Sequence, residues 1–308
     1  MSKTIAIVGN PNVGKTELFN ALTGLSQRTG NYPGVTVRRK SGDVKLNGTV
    51  SRVVDLPGSY SLAARSPDEM VVADVLLCQQ DHEDPIDTIL AVVDASNLKR
   101  NLYFLSQIRE LEKPVVVALN MIDIAESRGI RIDVALLSEA LGVPVVPVCA
   151  HKRVGIESLK RSMGEHFLNG AVPAAGGPEF SEALMAQVSE LHDELNADPE
   201  KVGHPVSRIE AFRLLTDAGG QGEKRFVRLL GRDIVKRLKA RRHEANANGS
   251  LARHEASRRY AWADKVVTKS VTRDQHLPAT ASDRIDRFLT HRVWVSLFFV
   301  AVMLVVFQ

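Results

Sequence analysis

Apolar runs of five to seven residues alternate with amphipathic stretches over the first half of the chain. Thr4–Val8, Val50–Asp55, Thr88–Asp94, Pro114–Asn120 and Pro144–Val148 are almost continuously apolar, which predicts strands buried on both faces. Lys15–Leu22, Glu69–Leu77, Leu98–Leu111, Val134–Leu141 and Ile156–Phe167 carry apolar residues at helical spacing. This alternation predicts an α/β fold with a mostly parallel, doubly wound sheet over residues 1–168. Asn169–Pro178 (NGAVPAAGGP) is a linker by composition. After it the strand pattern stops. Glu179–Leu195, Ser207–Thr216, Gly222–Arg242 and Ala252–Thr272 read as helices, so residues 169–280 are expected to form a small all-α domain.

Residues 281–308 have a different pattern. Val293–Phe307 is fifteen residues without a charge, apolar on every side. A membrane-spanning helix needs about 20 apolar residues, so this run is expected to be a first transmembrane helix cut short. Arg284, Arg287 and Arg292 precede it, which places residues 1–292 on the cytoplasmic side.

Composition narrows the class. With 44% hydrophobic and 25% charged residues the chain can bury a core, which excludes disorder and collagen. Its two cysteines, Cys78 and Cys149, cannot build a disulfide scaffold and fit a reducing compartment. The net charge of +4 hides an asymmetry: residues 1–168 are neutral, 169–223 carry −7 and 224–273 carry +11. Either the two blocks pair with each other, or the basic block faces an anionic membrane surface. No nucleic-acid-binding module is visible, and nucleic acid is not an expected partner.

The candidate chemistry lies at the ends of the predicted strands. Gly9-Asn10-Pro11-Asn12-Val13-Gly14-Lys15-Thr16 matches the P-loop pattern, after a strand and before a helix. Backbone N–H groups there can curl around phosphate oxygens at a helix N-terminus. Lys15 would reach the terminal phosphates and Thr16 would ligate Mg²⁺. Asp55, in Asp55-Leu56-Pro57-Gly58, can hold Mg²⁺ through water, and the Gly58 N–H can sense a γ-phosphate. Thr36 is placed to cap the Mg²⁺. Asn120-Met121-Ile122-Asp123 ends another strand, and the Asp123 carboxylate can accept both N1–H and N2–H of guanine, which adenine does not offer. Cys149 and Ala150 follow the last strand, where a backbone N–H can meet guanine O6. Together these predict a domain that binds GTP and GDP and hydrolyses GTP. The nine histidines show no tight metal-ligand spacing, and His151, His166 and His192 read as surface residues. Asp68 and Glu69 are expected in a mobile loop after Gly58 rather than at an iron site, and Cys78 is expected in the core.

Residues 1–168 resemble a small G domain of the TRAFAC type. More narrowly, GNPNVGKTELFN (residues 9–20), GNYPGVTV (30–37), DLPGSYSL (55–62), SPDE (66–69), NMID (120–123) and SDRIDRFLTHR (282–292) resemble the FeoB family of bacterial ferrous iron transporters. The resemblance implies a G domain, a helical domain likened to a nucleotide-dissociation regulator, and a membrane domain beyond this chain. It implies slow GTP hydrolysis coupled to Fe²⁺ uptake across the inner membrane, with Fe²⁺ as cargo not bound in this segment. Asn12 matches the P-loop asparagine that helps hold K⁺ in potassium-activated GTPases, and backbone carbonyls of Gly30–Thr36 would complete the ion's shell. Ser59 stands where Ras-like enzymes carry a water-orienting Gln, which implies slow turnover. Met121 replaces the usual Lys and brings no charge to the base, implying modest GTP affinity and quick GDP release. Tyr32 stands where the family often has Trp, and Cys149 where it has Ser. Small accessory iron-uptake proteins and homo-oligomers are partners the family admits. The competing readings are an RNA- or ribosome-associated assembly GTPase and a membrane-attached switch with no transport role.

Overall fold

The computed structural model describes residues 3–24, 27–32, 37–64, 66–77, 85–170, 172–173, 176–197, 199–245, 250–274, 302–304 and 307. Nine strands are described: β1 (Thr4–Gly9), β2 (Gln27–Asn31), β3 (Arg38–Leu46), β4 (Thr49–Asp55), β5 (Thr88–Asp94), β6 (Val115–Asn120), β7 (Ile130–Ile132), β8 (Val145–Pro147) and β9 (Val271–Arg273). Seven form one sheet in the order β2-β3-β4-β1-β5-β6-β8. The five strands from β4 to β8 run parallel, and β2 and β3 join antiparallel at the edge.

All the predicted strands are present, Thr88–Asp94 with the same bounds. β2, β3, β7 and β9 are additions. β2 (QRTGN) at the sheet edge and β3 (RRKSGDVKL) beside it are polar, with no continuous apolar run. The turn from β3 to β4 is Asn47-Gly48 with φ of 47° and 83°, the left-handed pair a two-residue hairpin requires.

Alternation along the strands divides the core. Ile5 and Ile7 of β1 face α1 (Lys15–Thr23) and α6 (Ile156–Asn169), packing with Leu18, Phe19, Leu159 and Met163. Ala6 and Val8 face the other side, with α2 (Pro67–Leu77), α3 (Leu98–Arg109) and α5 (Val134–Leu141). The short α4 (Ile122–Ser127) follows β6. Asp68 and Glu69, expected in a loop, lie in the first turn of α2, where their charge suits the helix dipole. Thr36 and Cys78 fall outside the described residues.

The second half is helical: α7 (Glu182–Asn196), α8 (Pro199–Val202), α9 (Arg208–Thr216), α10 (Gln221–Leu230), α11 (Asp233–Ala245) and α12 (Leu251–Ser270). The single helix expected over 222–242 is two, because the chain breaks at Gly231 with φ 82°. Acidic and basic blocks pair here: Arg241 with Glu190 (2.8 Å) and Glu194 (2.7 Å), Arg242 with Glu223 (2.5 Å), and Arg237 with Glu194. α12 packs on α3 and α5, and Asp133 N–H donates to Ser270 O at 2.8 Å. Met1–Thr272 is one compact unit and Arg273–Gln308 a second. In the second, the Phe307 N–H donates to Met303 O at 3.0 Å. Most of the apolar run Val293–Phe307 lies outside the described residues. Among those described, no helix is long and apolar enough to cross a membrane.

Candidate nucleotide-binding site

The parallel strands end together, so Gly9, Asp55, Asp94, Asn120 and Pro147 lie along one edge of the sheet. That edge is where α/β folds bind ligands. Gly9 is in register with Val92 and leaves no room there for a side chain, since a Cβ would run into the Val92 carbonyl. Gly14 caps α1 with φ 82°, and a Cβ there would collide with the Asn120 amide. Asn12 also lies in the left-handed region (φ 63°), which asparagine tolerates, with its side chain exposed.

Lys15 is buried and its Nζ donates to the Asn10 carbonyl at 3.1 Å, folding the side chain back over the loop. Burial lowers its pKa, against the pull of Asp55 and Glu17. Asp55 is buried too. Burial raises its pKa, while Lys15, Lys40 and a hydrogen bond with Thr16 oppose the rise. Asp55 Oδ1 and Asn10 Oδ1 have no hydrogen-bond partner among the described residues. The Thr16 hydroxyl and the Asp55 carboxylate thus meet beside the P-loop, a hard oxygen donor pair that fits Mg²⁺.

The loop after β4 is pressed against the P-loop. The Ser59 N–H donates to Gly9 O at 3.2 Å, and a Cβ on Gly58 would lie 2.9 Å from Pro11 Cα. Ser59 is fully buried and its hydroxyl donates to the Ser61 carbonyl at 2.7 Å, so it is already engaged. Tyr32 is buried, and its N–H donates to Val37 O at 2.9 Å.

At the other end of the cleft, Asn120 holds two loops at once. Its Nδ2 donates to the Val13 carbonyl (2.9 Å) and its Oδ1 accepts from the Ala150 N–H (3.0 Å). Met121 takes φ 62° as the N-cap of α4, which turns the chain toward Asp123. Asp123 Oδ2 pairs with the Lys152 ammonium at 2.7 Å, and Oδ1 has no partner among the described residues. The Lys152 hydrogen bond holds the Asp123 carboxyl down at about 2. Cys149 is buried, and its Sγ lies 3.4 Å from His151 Nδ1. Sequence spacing misses Lys152, and misses the grouping of Asp123, Cys149 and His151, because the fold joins the ends of β6 and β8.

An α1 N-terminus wrapped by a glycine loop, beside an aspartate-glycine loop and a second carboxylate on neighbouring strand ends, defines a P-loop GTPase fold. The comparisons narrow the class. The family model described as Ferrous iron transport protein B matches residues 3–163. The Fe(2+) transporter FeoB of Legionella pneumophila (strain Lens) is 36% identical over 307 residues, 98% of this chain and 38% of its own length. A GDP-bound mutant of S. thermophilus NFeoB superposes with a TM-score of 0.73 at 36% identity, covering 88% of this chain and all of that one. The cytosolic domain of the T. maritima FeoB iron transporter in its GMPPNP form gives 0.70 at 30% identity, over 88% of this chain and 99% of that one. The chain belongs to the ferrous iron transport protein B family. It spans somewhat over a third of the length of the curated relatives it matches.

Proposed function

We propose that this chain is the GTP-binding, slowly GTP-hydrolysing portion of a ferrous iron transporter. Residues 1–168 form its G domain, 169–280 its helical regulatory domain, and 281–308 the junction and start of a first membrane helix. Residues 1–292 lie in the cytoplasm of a bacterium, beneath its inner membrane. The observation that carries the nucleotide reading is Asn120, which fastens the P-loop to the turn at Ala150, with the Asp123 carboxylate beside that turn paired to Lys152.

Gly9–Thr16 wrap the phosphates, Lys15 turns from the Asn10 carbonyl to the terminal phosphate oxygens, and Asp123 reads guanine, with Met121 beside the base and Cys149 and Ala150 presenting backbone to it. Thr16, Asp55 and Thr36 hold Mg²⁺, which when bound neutralises phosphate charge. Asn12 holds K⁺ against the same charge. Gly58 reports the γ-phosphate, and turnover is slow because Ser59 is committed to its own loop. Loop movement on hydrolysis biases the helical domain and, through Ser282–Arg292, a membrane domain that carries Fe²⁺. Arg241 and Arg242 of the basic block pair with carboxylates of the helices, which leaves less of that block for RNA. Arg253, Arg258 and Lys265 are exposed, which suits an anionic membrane surface. Small accessory iron-uptake proteins and a second copy of the chain are further partners in this proposal.

Nucleotide choice tests the reading. The chain should bind GDP far more tightly than ADP. Asp123→Asn should lose GDP and gain xanthosine diphosphate, because an amide donates to the 2-oxo group where a carboxylate cannot. Equal affinity for GDP and ADP would sink the proposal.

A further inference from the structure

Asp123, Cys149 and His151 each offer one ligand atom, and all three atoms lie within 4.8 Å of one another. A single nitrogen of His151 faces both: Nε2 is 4.0 Å from Cys149 Sγ and 3.5 Å from Asp123 Oδ2. Tetrahedral metal–ligand bonds of about 2.0–2.3 Å put neighbouring ligand atoms roughly 3.3–3.8 Å apart. The Asp123–His151 edge already falls in that range, and the Cys149–His151 edge needs only a few tenths of an ångström of closure.

The turn is also rigid. Cys149 and Val154 exchange backbone hydrogen bonds of 3.0 and 3.2 Å, and Asn120 holds the intervening Ala150 N–H. Cys149 and His151 are therefore fixed on one side of a closed turn. Buried Cys149 forms the floor, while His151, 56% exposed, stands at the mouth and leaves a path for an ion. Lys152 shares Asp123 Oδ2 at 2.7 Å, and because its side chain is 55% exposed an ion that displaces it releases the ammonium into water. One thiol, one imidazole and one carboxylate, with a fourth position open to water, suit a borderline or soft divalent ion and not Mg²⁺.

We propose that Asp123, Cys149 and His151 bind a thiophilic divalent transition-metal ion, Fe²⁺ or Zn²⁺, and that this ion excludes the guanine base. The ion takes the carboxylate that guanine needs, so metal and nucleotide compete for one residue. Resting on the guanine reading of the site, this makes the GTPase sensitive to free cytosolic metal. Rising Fe²⁺ would withdraw the nucleotide that supports its own uptake.

Co²⁺ titration of the nucleotide-free chain tests this. Wild type should bind one Co²⁺ with a thiolate-to-metal charge-transfer band in the near ultraviolet, and Zn²⁺ and anaerobic Fe²⁺ should displace it while Mg²⁺ does not. At a Co²⁺ concentration ten times its dissociation constant, the affinity for a fluorescent GDP analogue should fall about tenfold, and excess GDP should bleach the band. Cys149→Ser should abolish the band. His151→Gln should weaken Co²⁺ binding at least about tenfold while binding GDP as wild type does. A band that survives Cys149→Ser, equal Co²⁺ affinity in wild type and His151→Gln, or metal and GDP binding independently would each overturn the proposal. GDP affinity in Mg²⁺ alone is measured first. Its failure would count against the nucleotide reading, while the cobalt band tests the metal site separately.

Discussion

Gln107 accepts the Leu62 N–H at 2.7 Å, so the loop that follows Gly58 is read directly by a side chain of α3. The same oxygen accepts the Ser61 hydroxyl at 3.1 Å, and the amide nitrogen donates to Glu255 of α12 at 3.1 Å. Glu255 pairs in turn with Arg213 of α9 and with Arg259, which is fully buried and holds Glu110 through two bonds of 2.7 and 2.8 Å. A buried polar chain thus runs from the loop after Gly58 into the helical region. Gln107→Leu keeps the volume but leaves the Leu62 N–H and the Ser61 hydroxyl without their acceptor. It should cost about 1–3 kcal/mol in urea unfolding and alter the GDP release rate measured by stopped flow. A release rate unchanged from wild type would show that the chain is structural only.

Asn120→Ala removes both ties between the P-loop and the Ala150 turn. The loss should be about 1–3 kcal/mol in GDP affinity, roughly ten- to a hundredfold, read by fluorescent-nucleotide titration. Asn120→Asp keeps the acceptor for Ala150 but sets a buried carboxylate oxygen against the Val13 carbonyl, so it should lose at least as much as Asn120→Ala.

Gly58 is a glycine for closeness, since its backbone is not left-handed but a Cβ would press on Pro11. Gly58→Ala should displace the P-loop by a fraction of an ångström and slow GTP hydrolysis roughly ten- to a hundredfold in single-turnover assays. GDP affinity, which does not need the γ-phosphate loop, should change less.

The Asp123 carboxyl, held at about 2 chiefly by Lys152, is ionised throughout the neutral range. A depressed carboxylate contributes stability above its unfolded value near 3.8, lost as pH falls toward 2. Guanine affinity should therefore show no loss from this group between about pH 5 and 8. In Lys152→Ala, carbon-detected NMR titration should find the Asp123 carboxyl nearer its ordinary value. An unmoved midpoint would assign the shift to another group.

Potassium should raise the GTP hydrolysis rate over sodium in wild type, and Asn12→Ala should remove the difference. Equal rates in both salts would discard the K⁺ site and leave Asn12 as a residue that shapes the loop through its left-handed backbone.

The P-loop, the parallel strands and the helix after each were legible because buried strands and amphipathic helices leave periodic marks, as at Thr88–Asp94 and Val134–Leu141. β2 and β3 left none, since β2 lies at the sheet edge and RRKSGDVKL carries charged residues along its length with no apolar run; Asn47-Gly48 was the local clue to the hairpin. The Gln107–Glu255–Arg259 chain was hidden for the opposite reason. Charged residues are ordinarily exposed, and nothing local marks Arg259 as a core side chain. The triad of Asp123, Cys149 and His151 exists only once β6 and β8 lie side by side.

α12 closes over α3 and α5, although it is made long after them. A ribosome delivers the nucleotide fold first, with Glu110, Ser106 and Gln107 still waiting for Glu255 and Arg259. Domains otherwise tend to fold in the order they emerge. Here the first-made layer is finished only when Leu251–Ser270 arrives, just before the apolar tail follows it out. Synthesis order thus becomes a checkpoint, because the α/β layer is completed only once the last helix of the helical half has been made.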